Sequence, residues 1–171
     1  MSLLVPARRY DQDVPEMIDN PDADARLPHD ELKSIRTINR FFGGYATSGK
    51  GMRLLLADIK KEEISVLNLG TSSADLPLYL LGLGRRLKRR FRITAVENHP
   101  RVLEVAREQA SGHPRISIES GNLLSLNYPP GAFDIVILSP TLRHLSREDA
   151  IKIIRCVNHF SRIGYLVNDL N

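Results

Sequence analysis

The sequence has 171 residues, 42% hydrophobic and 26% charged, with 24 Lys and Arg against 20 Asp and Glu and a formal net charge of +4. That is one domain's length with enough apolar residues for a sizeable core, so wholesale disorder is excluded. A lone cysteine, Cys156, excludes an intramolecular disulfide framework and a cysteine-cluster zinc site; no apolar run approaches the ~20 residues of a membrane span, no secretory signal is visible, and a soluble, cytoplasmic protein is the expectation.

Residues 1–29 read as an arm. Pro6, Pro15, Pro21 and Pro28 disfavour long regular structure, and acids are frequent, among them Asp11, Asp13, Asp19 and Asp22. Residues 30–62 read as a helical cap. Asp30 is a plausible N-cap, with Leu32, Ile35, Ile38 and Phe42 on one face. Gly43 and Gly44 stop that helix, and a second is expected over about 48–61, with Met52, Leu55, Leu56 and Ile59 as its stripe. From residue 63 the period changes. Ile64–Leu69 is a buried strand, and a helix follows to Leu83, with Gly84 as its stop. Phe91–Glu97 is a second strand, Pro100 opens a helix, and Arg115–Glu119 is a third strand. Phe133–Leu138 is a fourth strand. Ser146 and Asp149 resemble a capping box that opens a helix, and Gly164–Val167 is a fifth strand. Alternating strands and helices predict an α/β fold: a Rossmann-like, doubly wound sheet of about five parallel strands with helices on both faces, preceded by N-terminal helices.

In such sheets ligands bind outside the carboxyl ends of the strands. After strand one comes Asn68-Leu69-Gly70-Thr71-Ser72-Ser73-Ala74-Asp75. Glycine and small residues let backbone approach a ligand at a helix N-terminus, or they make an ordinary turn with a hydroxyl cap. After strand two, Glu97, beside Asn98, can accept both ribose hydroxyls of a nucleoside, or stand as a solvated strand-end acid. After strand three, Asn122 can accept from and donate to an adenine, with Leu123 on the ring face; a simple Asn turn is the other reading. After strand four come Ser139 and His144, and the latter is a candidate general base or a structural histidine.

Together these four tips resemble the class I S-adenosylmethionine-dependent methyltransferases, over about 64–171. Val66–Asp75 is similar to their first motif, Glu97 to the ribose-binding acid, Gly121-Asn122-Leu123 to the adenine-contacting motif, and Gly131–Ser139 with Leu142–Leu145 to the fourth-strand segment. The resemblance extends to small-molecule and ubiquinone-biosynthesis-type members. It implies S-adenosylmethionine as cofactor, held by Asn68, Gly70, Thr71, Ser72, Glu97, Asn98, Asn122, Leu123 and Ser139, with His144 as base toward a small-molecule substrate. The chain departs from the pattern at Asn68, where an acid is usual, and at Ser72 and Ala74, where glycines are usual. It also stops at the fifth strand, short of the family's closing hairpin, so a truncated core and an exposed edge strand that could pair with a second copy are expected.

Gly44–Gly51 nearly spells a phosphate-binding loop, but Gly51 stands where Ser or Thr must bind magnesium, so a link between two helices is expected instead. The basic run Arg85–Arg92 is read as cations at a helix C-terminus, without interleaved stacking aromatics, and nucleic acid is not the expected partner. No metal site is expected. Two other functions fit less well: a catalytically inactive methyltransferase-like interaction module, and an NAD-type dinucleotide-binding protein, whose pyrophosphate prefers glycine where Ser72 and Ala74 stand.

Overall fold

The computed structural model describes residues 44–138, 141–142 and 145–169. The arm, the helix from Asp30, Ser139 and His144 lie outside the described residues. Nine elements follow in order: α1 (Gly44–Leu55), β1 (Glu63–Leu69), α2 (Asp75–Arg86), β2 (Arg90–Glu97), α3 (Pro100–Ala110), β3 (Ile116–Ser120), β4 (Phe133–Leu138), α4 (Arg147–Phe160) and β5 (Ser161–Val167).

The strands form one sheet in the order β3-β2-β1-β4-β5, and every pairing is parallel. Strand order reverses between β1 and β4, and sheets of this kind bind ligands beyond the carboxyl ends of the strands at that point. Two apolar layers cover the sheet. Met52 and Leu56, with Leu76, Leu80 and Leu83 from α2, pack on Ile64, Val66, Phe91, Ile93, Ile135 and Ile137. On the other face Ile153, Val157 and Phe160 from α4 pack on Leu67, Leu69, Val96, Val136 and Leu138. Alternate residues of a strand point to opposite faces, so β1 and β4 read as nearly continuous apolar runs.

Local chemistry explains the helix starts. Pro100 stands in the first turn of α3, where its missing N–H is no loss. The Ser146 hydroxyl accepts from the Asp149 N–H at 3.1 Å and donates to the Asp149 carboxylate at 3.0 Å, so the expected cap is present.

Three boundaries differ from the sequence reading. The expected inter-helix link at Gly44–Gly51 is the body of α1, which ends at Leu55 instead of running to 61. Its glycines are there for packing. A Cβ on Gly51 would meet Leu166 Cδ2 at 2.6 Å, one on Gly49 would meet the Tyr79 hydroxyl, and in return Gly164 leaves room for Leu55 at 2.8 Å. Gly84 does not stop α2, which runs to Arg86; its missing Cβ leaves room for the Arg89 carbonyl at 2.9 Å and the Phe91 ring at 3.3 Å. Lys88 takes the left-handed turn instead, at φ 54°. Finally, β5 begins at Ser161 directly from α4, three residues before the expected start.

At the amino ends of the strands Asp134 is 1% exposed. Its carboxylate accepts from Lys61 Nζ at 2.6 and 2.8 Å, from the Ser65 N–H at 2.8 Å, from the Ser65 hydroxyl at 3.0 Å, and from Arg162 at 3.3 Å. Burial pushes this carboxyl up, but the Lys61 and Ser65 bonds outweigh it and hold the group below its usual range.

Candidate functional site

The turn between β1 and α2 is built from alternating left-handed residues. Gly70, Ser72 and Ala74 have φ of 67°, 52° and 62°. Only glycine adopts that region without cost. The fold thus imposes a glycine-type backbone on a serine and an alanine. The turn is tied to β2, since the Gly70 and Thr71 N–H groups both donate to the Val96 carbonyl at 3.1 Å. It is closed by Ala74 N–H on the Thr71 carbonyl at 3.1 Å, and by the Ser73 hydroxyl on the Asp75 carboxylate.

Glu97 is the hub of the carboxyl end of the sheet. One carboxylate oxygen accepts from the Ser72 N–H at 2.9 Å. The other accepts from the N–H groups of Asn98 at 2.9 Å and His99 at 3.0 Å. A carboxylate offers about four acceptor directions, so the oxygen facing Ser72 retains one. The Glu97 carbonyl also accepts from the Gly121 N–H at 3.1 Å, which ties the β3 tip to the β2 tip.

Two polar atoms beside this hub are buried without a hydrogen-bond partner among the described residues: Thr71 Oγ1 and His99 Nδ1. Buried polar atoms are normally paired, which sets these two apart from their neighbours. Sequence reasoning named Thr71 and passed over His99, which was legible only as the second residue beyond an acid.

The other expected site residues have these places. Asn68 is fully buried, and its amide donates to the Ile137 carbonyl at 3.4 Å, bridging β1 to β4. Asn122 is exposed, and its side-chain oxygen accepts from the Leu124 N–H at 2.9 Å, which is the turn alternative. Leu123 packs against the α4-side core. Asn98 is exposed at the strand end. Asp169, which sequence reasoning did not single out, accepts at one carboxylate oxygen from Thr141 N–H at 3.1 Å and Leu142 N–H at 2.6 Å, and so pins the segment after β4. Asn168 donates to the Gly44 carbonyl and the Ser48 hydroxyl, both at 3.0 Å, and pins α1. No group of three or more metal-ligating side chains occurs among the described residues.

A family model described as a methyltransferase domain matches residues 66–164, more than half of the chain. The chain belongs to that family. Its members' class I fold is the fold observed here, and the family implies use of S-adenosylmethionine. Solved structures agree on the architecture. A SAM-dependent methyltransferase from Aquifex aeolicus has a TM-score of 0.58 at 16% identity, covering 79% of this chain and 67% of that one. The CcbJ methyltransferase from Streptomyces caelestis gives 0.54 at 21%, covering 70% and 47%. The CMeT domain of the citrinin polyketide synthase gives 0.59 at 18%, covering 72% and 34%. At such identities the likeness concerns the fold. This methyltransferase-domain chain spans between about a third and two thirds of the length of those proteins. No curated protein has a significant match to the sequence.

Proposed function

We propose that this methyltransferase-domain protein binds S-adenosylmethionine across the tips of β1, β2 and β3 and directs its methyl group to a small-molecule acceptor. The observation that carries the reading is Glu97, held by three backbone N–H groups with one acceptor direction left toward the turn, beside the unpartnered Thr71 hydroxyl. That set fits a nucleoside, with Glu97 and Thr71 on ribose hydroxyls and the Asn122 amide and Leu123 on the base. The cofactor supplies an electrophilic methyl on a sulfonium, so the protein's part is placement. Gly70, Ser72 and Ala74 bring backbone close to the ligand, and Asp169 and Asn168 tie Thr141, Leu142 and α1 to the carboxyl end of β5. His144 takes the proton of an acceptor hydroxyl that does not ionise unaided.

A small acceptor is favoured by charge. The turns Gly70–Asp75, Glu97–His99, Gly121–Leu123 and Asn168–Asp169 carry acids and no Lys or Arg, and the segment after β4 adds one cation, Arg143, too little to attract a polyanion. The neighbouring polyketide synthase domain and CcbJ support methyl transfer on this scaffold.

Calorimetric titration with S-adenosylhomocysteine tests the reading. Saturable one-site binding that NAD does not displace is the expected result. A folded protein giving no binding heat would replace it with an inactive interaction module, which the side chains of Ser72 and Ala74 at glycine positions would then explain.

A further inference from the structure

The basic run Arg85–Arg92 looks in sequence like a helix C-terminus, but only Arg85 and Arg86 stand in the last turn of α2. Arg90 and Arg92 belong to β2, where they alternate with buried Phe91 and Ile93. They therefore point to the opposite face of the sheet, the one that α4 covers elsewhere. Register pairs Ile93 with Ile116, so Arg115, just ahead of β3, lies beside Arg92 on that face. The apolar core of that face takes only Val96 from β2 and nothing from β3. The amino-terminal part of β2 and β3 there is a polar sheet surface.

Three arginines share one carboxylate on it. Glu63 lies 2.6 Å from Arg92, 3.8 Å from Arg90 and 3.9 Å from Arg115, and their side chains remain 71%, 59% and 47% exposed. Arg90 also approaches the open Glu62 at 3.8 Å. Glu63 and the exposed Glu62 against three guanidinium groups leave one positive charge in excess, and exposed Lys88 adds a second in the turn before β2. Arg89 is not part of the surface, because its guanidinium is spent on the Lys61 and Ile59 carbonyls.

We propose that this face docks the phosphate backbone of a nucleic acid, without reading its sequence. Arginine presents a planar fork suited to phosphate oxygens. Among the described residues, the aromatic between these arginines, Phe91, is buried on the opposite face, so contact is with the backbone. The large exposed apolar side chains among the described residues, Leu54, Ile151, Tyr165 and Val167, all lie on α1, α4 and β5. The arginine face therefore lacks the apolar anchor of a protein interface or a lipid surface. Seven strand steps of about 3.3 Å separate Arg90 from Glu97, so the docked strand lies about 20 Å from the cofactor crevice and is not the methyl acceptor.

The test uses the full chain and a fluorescein-labelled 20-nucleotide oligouridylate, followed by anisotropy. Binding at 50 mM salt is expected. With three phosphate contacts, affinity should fall about 15- to 20-fold between 50 and 200 mM. Combined Arg90→Gln, Arg92→Gln and Arg115→Gln should lose at least about tenfold in affinity at 50 mM and flatten the salt dependence. Glu63→Gln removes the competing carboxylate and should tighten binding severalfold, which keeps the test decisive even if the triple variant melts early. No binding at 50 mM salt, or equal binding by the triple variant, overturns the proposal. So does stronger binding to polyglutamate or to phosphatidylserine vesicles than to the oligonucleotide, since the partner would then be a different anion.

Discussion

Glu97→Gln is the sharpest probe of the carboxyl end of the sheet. The substitution keeps shape and removes one acceptor oxygen. The new amide oxygen can hold the Asn98 and His99 N–H groups, which share one carboxylate oxygen at 2.9 and 3.0 Å. The new NH2 then faces the Ser72 N–H, whose present partner is 2.9 Å away, and donor opposes donor. A hydrogen bond to a charged group contributes about 1.5–3 kcal/mol, and the half-buried position argues for the low end, about 1.5. For a chain of this size that lowers the melting temperature by about 3–6 °C. The same change detaches a turn that holds Ser72 and Ala74 in left-handed conformations, and it removes the acceptor assigned to ribose. S-adenosylhomocysteine affinity should fall about tenfold or more, read by calorimetry. A Gln variant that melts with wild type and binds the ligand equally well would refute both the hub role of Glu97 and its place in the crevice.

Other outcomes follow from named contacts. Gly82 and Gly84 lie two residues apart in α2 but should respond oppositely to alanine. A Cβ at Gly82 meets nothing within 4 Å, so Gly82→Ala stabilises by about 0.5–1 kcal/mol through helix propensity. Gly84→Ala drives a methyl to 2.9 Å from the Arg89 carbonyl and costs about 1–2 kcal/mol net, both read by urea unfolding. Ser72→Gly relieves a left-handed serine and should stabilise by about 0.5–1 kcal/mol after the entropy of glycine is subtracted. Ala74→Gly should be near neutral, because Ala74 is fully buried and its methyl contributes about 0.8 kcal/mol. For Asp134 the folded carboxyl titrates below its unfolded value near 3.8. Its stabilisation is therefore complete above about pH 4–5 and is lost as pH falls through the lowered folded value. Asp134→Asn should cost about 1–3 kcal/mol at pH 7, since Lys61 and Arg162 are half-exposed and return to water, and the gap to wild type should close on acidification in pH-dependent melting.

Much of the fold was legible in local pattern. The apolar runs at Ile64–Leu69 and Phe133–Leu138, Pro100 and the Ser146–Asp149 cap each act within a few residues, and the structure places strands and helix starts there. Glycine was read less well. Gly49, Gly51 and Gly84 look like breakers along the chain, yet they sit inside helices because distant residues, Tyr79, Leu166 and Arg89 among them, need the space. Propensity is a per-residue cost of about 1 kcal/mol, and close packing outweighs it.

What the sequence determined by itself was the βα alternation, and with it a parallel sheet whose ligand end is known in advance. Periodicity carries that, because a strand buried on two faces and a helix buried on one must differ in their apolar spacing. What only the tertiary structure decided was which groups meet. It put Ser72 and Ala74 in a backbone meant for glycine, spent three of Glu97's acceptor directions, buried Asn68 between strands, and set Arg115 beside Arg92 around Glu63. Apart from the Asn98 and His99 bonds to Glu97, which are local, these depend on strand register and on contacts across the sheet, for which neighbouring residues along the chain hold no information.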